Sequence, residues 1–393
     1  MPRDPTPSTP SPLVTIERRD VPALFQALTA RGYQVVGPTV RDGAIVYDRL
    51  AGPDDLPAGW TEVQDAAQYR LARRRDQALF GYAVGPRSWK PFLMPPATTV
   101  WQGRRTTTGF GPVKALAPPP RCALLGVRAC DLKALEILDT VFLRGAFVDP
   151  SYAQRRERLF LVAVHCTQPG CTCFCASMGT GPRATAGYDL AWTEVLEPSR
   201  HYFVAEAGTA RGAAVLREVP SAPATAVERE AAACRVTDAA AKMGRTVETA
   251  NLPALLDRRL EHPRWDDVAA RCLACGNCTS VCPTCFCAAV TDVTDLTGGR
   301  AERRRTWDSC FTLGFSYIHG GSVRVSAKAR YRQWLLHKFD TWQAQFGTFG
   351  CVGCGRCITW CPAGIDVTEE LRALRAAPPT PPEMTQEAPH AHP

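Results

Sequence analysis

Cys272, Cys275, Cys278 and Cys282, closed by Pro283, place four thiols at C-x2-C-x2-C-x3-C-P spacing. The same spacing returns at Cys351, Cys354, Cys357 and Cys361, closed by Pro362. No other feature restricts the fold as strongly, because bacterial ferredoxins hold paired 4Fe-4S clusters with this run. Two-residue gaps let three neighbouring thiolates converge on one cube. The three-residue gap and the proline turn the fourth towards the sister cluster. The expected ligand sets are therefore crossed: Cys272, Cys275, Cys278 and Cys361 for cluster one, and Cys351, Cys354, Cys357 and Cys282 for cluster two. Gly276, Gly353 and Gly355 suit loops whose backbone approaches a cluster closely or takes positive φ. Zinc would use isolated C-x2-C pairs closing one tetrahedron, so eight thiols in interlocked fours favour iron–sulfur. Cys278, Cys282 and Cys285 also spell the C-x3-C-x2-C triplet of radical-SAM enzymes. That triplet is embedded in the ferredoxin run, and no alternating strand–helix barrel surrounds it.

The chain has 18 cysteines, bunched rather than scattered. An exported protein would use them as disulfides, yet Met1 to Pro12 is rich in Pro, Ser and Thr and lacks the apolar stretch of a signal peptide. No apolar run is long enough to span a bilayer. In a reducing cytoplasm, the expected location, clustered thiolates read as metal ligands. The formal charge of +8 is modest for 393 residues, and the densest basic knots, Arg73 to Arg75 and Arg303 to Arg305, are short. A solvated face or an acidic protein partner fits them better than nucleic acid does.

The length suits two or three domains. The expected fold class is α+β, an N-terminal α/β domain followed by a helical dicluster ferredoxin-like domain, with disordered termini. In residues 13–215, Val21 to Ala30 reads as a short amphipathic helix, and Ala44 to Tyr47, Cys122 to Val127 and Leu159 to Val164 read as short buried strands. Leu132, Leu135, Ile137, Leu138 and Phe142 follow a helical spacing over Asp131 to Phe142. Residues 216–262 form a connector containing the Ala-rich, helix-prone Ala224 to Met243. Residues 263–377 form the cluster domain, beginning with a short helix, Pro263 to Arg271, that delivers Cys272. Between the two cysteine runs, Tyr331, Trp334, Leu335, Phe339, Trp342 and Phe346 mark one face of a helix, most simply as core packing. Asp366 to Ala376 reads as a closing helix with Asp366 or Thr368 near its N-cap. The tails 1–12 and 378–393 lack apolar residues to bury and are expected to be disordered.

A second cysteine bunch, Cys166, Cys171, Cys173 and Cys175, lies in the N-terminal domain with Cys130 upstream. Cys130 and Cys166 each follow a predicted strand, and ligands in α/β sheets collect beyond the C-terminal ends of strands. These thiols suit a third cluster, with Asp131 as an oxygen donor or a supporting neighbour. The plainer reading is a set of reduced, buried thiols, with Cys171 or His165 as bystanders. Cys285, Cys287 and Cys310 are left over, although Cys-Phe-Cys occurs both at 173–175 and at 285–287. Cys122 and Cys234 suit plain buried or helix-face positions. There is no phosphate-binding glycine–lysine loop, Gly179-Thr-Gly181 lacks a dinucleotide-binding frame, and no Ser/His/Asp arrangement stands out. Lys328, Arg330 and Arg332 would favour reduced, negatively charged clusters or an acidic partner. The chain is equipped to carry electrons, with no evident place for bond chemistry.

With these residues in view, the chain resembles the 4Fe-4S beta subunit of cytoplasmic hydrogenase/sulfur reductase (sulfhydrogenase) complexes, a family that includes the A subunit of anaerobic sulfite reductase. The likeness runs from about Asp65 to Glu370 on the phrases GPRSWKPFLMPP (85–96), GVRACDLKAL (126–135), HCTQPGCTCFCASMGTGP (165–182), CLACGNCTSVCPTCFC (272–287), RTWDSC (305–310) and CVGCGRCITWCPAGID (351–366). The resemblance implies an electron-wire subunit, not itself catalytic, between a flavin/NAD(P) subunit and a nickel–iron hydrogenase module. A siroheme sulfite reductase in place of the hydrogenase is the alternative, and a stand-alone redox or sensory iron–sulfur protein a further one. It also implies that Cys171 is dispensable, which narrows the third set to Cys130, Cys166, Cys173 and Cys175.

Overall fold

Cys122–Val127 and Leu159–Val164 form strands where the sequence predicts them, and both are buried along their whole length. They sit inside an eight-stranded sheet of the computed structural model, which describes residues 12–112 and 117–376. The spatial order is Ala222–Pro223, Val14–Glu17, Arg200–Ala207, Leu190–Glu197, Leu159–Val164, Cys122–Val127, Gln34–Arg41 and Ala44–Arg49. From Leu190–Glu197 to Gln34–Arg41 the neighbours pair in parallel; the outer pairs are antiparallel. Parallel neighbours need a crossover, and two helices, Ala129–Leu143 and Pro150–Glu157, supply the one between the two central strands.

Alternate side chains of those strands enter different cores, which is why the strands read as continuous apolar runs. Ala123, Leu125, Phe160 and Val162 meet Leu24, Phe25 and Leu28 of the Val21–Ala30 helix on one face. Leu124, Leu159 and Leu161 meet Leu132, Leu135 and Leu138 of Ala129–Leu143 on the other. Each of these leucine, valine and phenylalanine side chains contributes roughly 1.5–3 kcal/mol by leaving water. Cys122 belongs to this second core, and Cys234 is exposed on a helix, Ala226–Ala241, that opens with a Thr225–Glu228 capping box.

The segment between the cysteine runs departs from the helical expectation. Its first half is a hairpin, Ala288–Thr294 and Arg300–Trp307, followed by a small one, Tyr317–Ile318 and Gly321–Ser322. Arg300–Trp307 pairs with Ala97–Thr106 from the N-terminal half, and with Gly109–Pro112 they make a four-stranded sheet. The alternation in AAVTDVT and RAERRRTW is masked by charge, because these strands are half-exposed. Ion pairs absorb the basic knots: Arg303 pairs with Asp292, Arg304 with Glu302, Arg305 with Asp149 and Arg74 with Asp76.

The aromatic stripe follows as expected on Ala327–Leu336, which continues through one wide turn, His337–Thr341, into Trp342–Phe346. Tyr331, Trp334, Leu335, Phe339 and Trp342 are buried, and Phe346 is not. The closing helix is Val367–Ala376, and Asp366 caps it: its carboxylate accepts from the Thr368 N–H at 2.9 Å. Glu370 of this helix, 1% exposed, holds Arg264 and Arg271 of Arg264–Arg271, the helix that delivers Cys272. The tails expected to be disordered lie outside the described residues, except for Pro12.

Candidate metal centre

The two cysteine runs fold into twin loops. Ala274 and Gly353, each two residues after the first cysteine, take φ of 51° and 65°, and Gly276 and Gly355 both take 74°. This left-handed turn points backbone N–H groups inwards: Ala274 donates to Cys272 Sγ and Gly353 to Cys351 Sγ, each at 3.4 Å. Ile365 donates to Cys361 Sγ at the same distance. Such N–H···S bonds help set the potential of a cluster.

Cys272, Cys275, Cys278 and Cys361 line one apolar cavity, walled by Phe311, Tyr331 and Trp334. Cys282, Cys351 and Cys354 line a second, with Phe339 and Val352. Cys357 lies at the partition and faces both. The fourth cysteine of each run thus faces the other run's cavity. Among the described residues, no three His, Cys, Asp or Glu side chains converge on a single-ion position; the thiols ring cavities instead. Burial pushes the Cys351 thiol up to about 12 and raises Cys278 and Cys357 as well. Thiols in such walls stay protonated until a metal displaces the proton. Soft thiols, apolar walls and inward N–H groups fit 4Fe-4S clusters.

The second bunch packs directly against the second loop. The Phe174 N–H donates to Gly353 O at 2.8 Å, Thr180 Oγ1 to Val352 O at 2.6 Å, and Thr172 and Thr359 hydroxyls meet at 2.8 Å. A Cβ on Gly353 would lie 2.7 Å from Cys175 Cα, and one on Gly355 2.4 Å from Thr172 O. Ala274, half-buried against the cluster-domain core, holds the equivalent place in the first loop.

Cys175 lies within electrostatic reach of Cys166 and Cys354, and Cys130 within reach of Cys175 and Cys354. Arg128, 1% exposed, ties the ends of the two central strands to this region by donating to Val164 O, His165 O, Phe80 O and Tyr82 O. Cys130, Cys173 and Cys175 are buried and Cys166 half-buried, while Cys171 stands exposed. Both carboxylate oxygens of Asp131 are engaged by Arg356, at 2.9 and 3.2 Å, so Asp131 docks the second loop instead of offering a free oxygen. His165 turns to the Thr193 hydroxyl, and burial pushes it down to about 4, leaving it neutral.

Charge reaches the thiols from residues that the sequence reading passed over. Lys328 and Arg332 are spent on Asp266 and Glu261, while Arg330 donates to Phe311 O and keeps its charge within reach of Cys272. Arg128 faces Cys166 and Arg356 faces Cys354, and two buried lysines, Lys338 and Lys90, 6% and 4% exposed, face Cys282 and Cys285. Burial works against the Lys338 charge, but Cys282, Cys285 and Cys351 together outweigh it and hold its pKa well above the ordinary lysine value. Replacing Lys338 with methionine should lower the potential of a cluster in the second cavity by on the order of 100 mV, since a cation a few Å away favours the reduced, more negative state. An EPR-monitored redox titration checks this; an unchanged midpoint refutes it.

Comparison with known proteins agrees with this chemistry. Residues 271–365 match the family model of the 4Fe-4S dicluster domain. The chain is 33% identical to sulfhydrogenase 2 subunit beta of Pyrococcus furiosus over 258 residues, covering 64% of this chain and 73% of the relative. No solved structure matches. The crossed thiol cavities, the dicluster domain and this extended likeness together place the chain in the family of sulfhydrogenase beta 4Fe-4S subunits.

Proposed function

We propose that this iron–sulfur electron-transfer subunit relays electrons between a flavin/NAD(P)-binding subunit and a nickel–iron hydrogenase module in the cytoplasm. The observation that carries this reading is the unbroken succession of thiol sites. The cavity of Cys272, Cys275, Cys278 and Cys361 shares the Cys357 wall with that of Cys282, Cys351, Cys354 and Cys357. Cys354 in turn lies against Cys130, Cys173 and Cys175, with Cys173 Sγ 3.8 Å from Cys354 O. We assign those two quartets to clusters one and two, and Cys130, Cys166, Cys173 and Cys175 to a third cluster. Bound there, clusters would accept and release electrons singly. The chain's own part is to hold the thiols apart at fixed places, keep water from the partition and supply the compensating charge of Lys338. No helix among the described residues is long and apolar enough to cross a membrane.

Iron and acid-labile sulfide should be measured on anaerobically purified protein. About twelve irons per chain are expected, and about eight would remove the third cluster. Co-purification tests the partners. A chain that stays alone and reduces a substrate unaided would refute the relay, and retrieval of a siroheme subunit instead of a nickel–iron one would reassign it.

A further inference from the structure

Cys285, Cys287 and Cys310 belong to none of the three thiol sets, yet the fold gathers them. Cys287 directly precedes the strand Ala288–Thr294, and Cys310 follows the strand Arg300–Trp307 to which it is paired. Asp308 N–H donates to Cys287 O at 2.9 Å and closes the base of this hairpin. The thiols of Cys287 and Cys310 lie within hydrogen-bonding reach of each other there, both half-buried. Cys310 is also close to Cys278 of the first cavity, and Cys285 contacts Cys282 of the second.

Two buried ammonium groups face this strip. Lys90 Nζ lies 3.3 and 3.2 Å from Thr279 O and Ser280 O, over the Trp307 ring. Lys338 Nζ reaches the Thr284 hydroxyl at 3.0 Å and Gly350 O at 3.3 Å. These partners are carbonyls and a hydroxyl, and a buried cation needs a nearby anion. Cluster-bound thiolate at Cys282, beside both lysines, would supply that charge. A pair of close thiols, reachable by solvent and flanked by cations, is the setting in which a cytoplasmic protein keeps a transient, working disulfide.

We propose that Cys287 and Cys310 are a redox-active dithiol that exchanges two electrons with the flanking clusters. This rests on the cluster assignment above. In the oxidising direction two S–H bonds break and one S–S bond forms. Two protons pass to solvent, and clusters held at the two flanking thiol sites would take up one electron each. In the other direction the disulfide takes up two protons and two electrons, which the same clusters would supply. The site thus adds a two-electron store to a path of one-electron carriers.

The test is differential thiol labelling of the full holoprotein. Samples poised reduced with dithionite or oxidised with thionin are quenched in acid and alkylated with light N-ethylmaleimide under denaturing conditions. They are then reduced, alkylated with the heavy reagent and mapped by mass spectrometry. Cys287 and Cys310 should move together from light to heavy on oxidation, while the assigned cluster cysteines stay light. Cys310→Ser should keep its iron and EPR signals, lose the heavy label at Cys287, and take up two fewer electrons per chain in a reductive titration. Light label on both residues at every potential, with cluster signals titrating normally, overturns the dithiol and leaves the clusters standing. Loss of about four irons in Cys310→Ser also overturns it, by making Cys310 a ligand. Protein without iron or EPR signals would refute the cluster assignment, and with it the electron partners that the dithiol requires.

Discussion

Cys361→Ser is expected to remove the cluster held by Cys272, Cys275 and Cys278, although Cys361 belongs to the other cysteine run. The side chain faces the first cavity, next to Ala363 and Ile365, and receives the Ile365 N–H. Losing one of four thiolates should empty or convert that site, with iron falling by up to about four per chain. The EPR signal that disappears should be the one lost in Cys275→Ser and retained in Cys354→Ser. Cys282→Ser should give the reciprocal pattern. If Cys361→Ser instead copies Cys354→Ser, the crossed assignment is wrong.

The largest loss of stability is expected from Arg356→Met. Arg356 and Asp131 form a two-bonded ion pair whose side chains are 0% and 1% exposed, joining the second cluster loop to the helix that starts beside Cys130. Arg356 also donates to Gly85 O at 3.2 Å. Removing the cation strands a buried carboxylate, which costs about 3–5 kcal/mol. The double variant Asp131→Leu with Arg356→Met should lose less than the single one, because it leaves no uncompensated charge. Denaturant unfolding of the three proteins under anaerobic conditions measures this. A single variant as stable as the parent, or a double variant worse than the single, would show that the pair does not hold the two halves together.

The parts of this molecule that could be read from residues alone are those where one local rule dominates. Cys122–Val127 and Leu159–Val164 announce themselves as strands because both faces are buried, and Val21–Ala30 because its apolar residues fall on one helical face. The crossing of Cys282 and Cys361 into opposite cavities follows from the chemistry of the run itself. What depends on distant partners was not legible. Arg300–Trp307 is a strand because Ala97–Thr106 lies beside it, and nothing in its charged text names that neighbour. Lys90 and Lys338 look like ordinary surface lysines until the fold buries them against thiols far away in the chain. Lys90 does sit within one of the phrases that carry the family likeness, a signal that could have drawn notice before its contacts were known. Asp131 was visible as a neighbour of Cys130, but its partner Arg356 comes from the far end of the chain.

Ala274 and Gly353 occupy the same place in twin loops, and Gly353 lies under the Phe174–Cys175 backbone. The two sites are therefore alike in spelling and unlike in surroundings. One has Cys275 exposed and Leu273 69% open to solvent, while the other is roofed by protein and neighboured by a buried lysine. Two carriers with equal ligands would be interchangeable in an isolated symmetric protein. Here the roof breaks that equivalence and gives the pair a front and a back. In the proposed relay, the open loop would be where an outside redox partner approaches, and the roofed loop would pass charge on within the chain. A duplicated motif has in this way been given a direction by a third segment that belongs to neither copy.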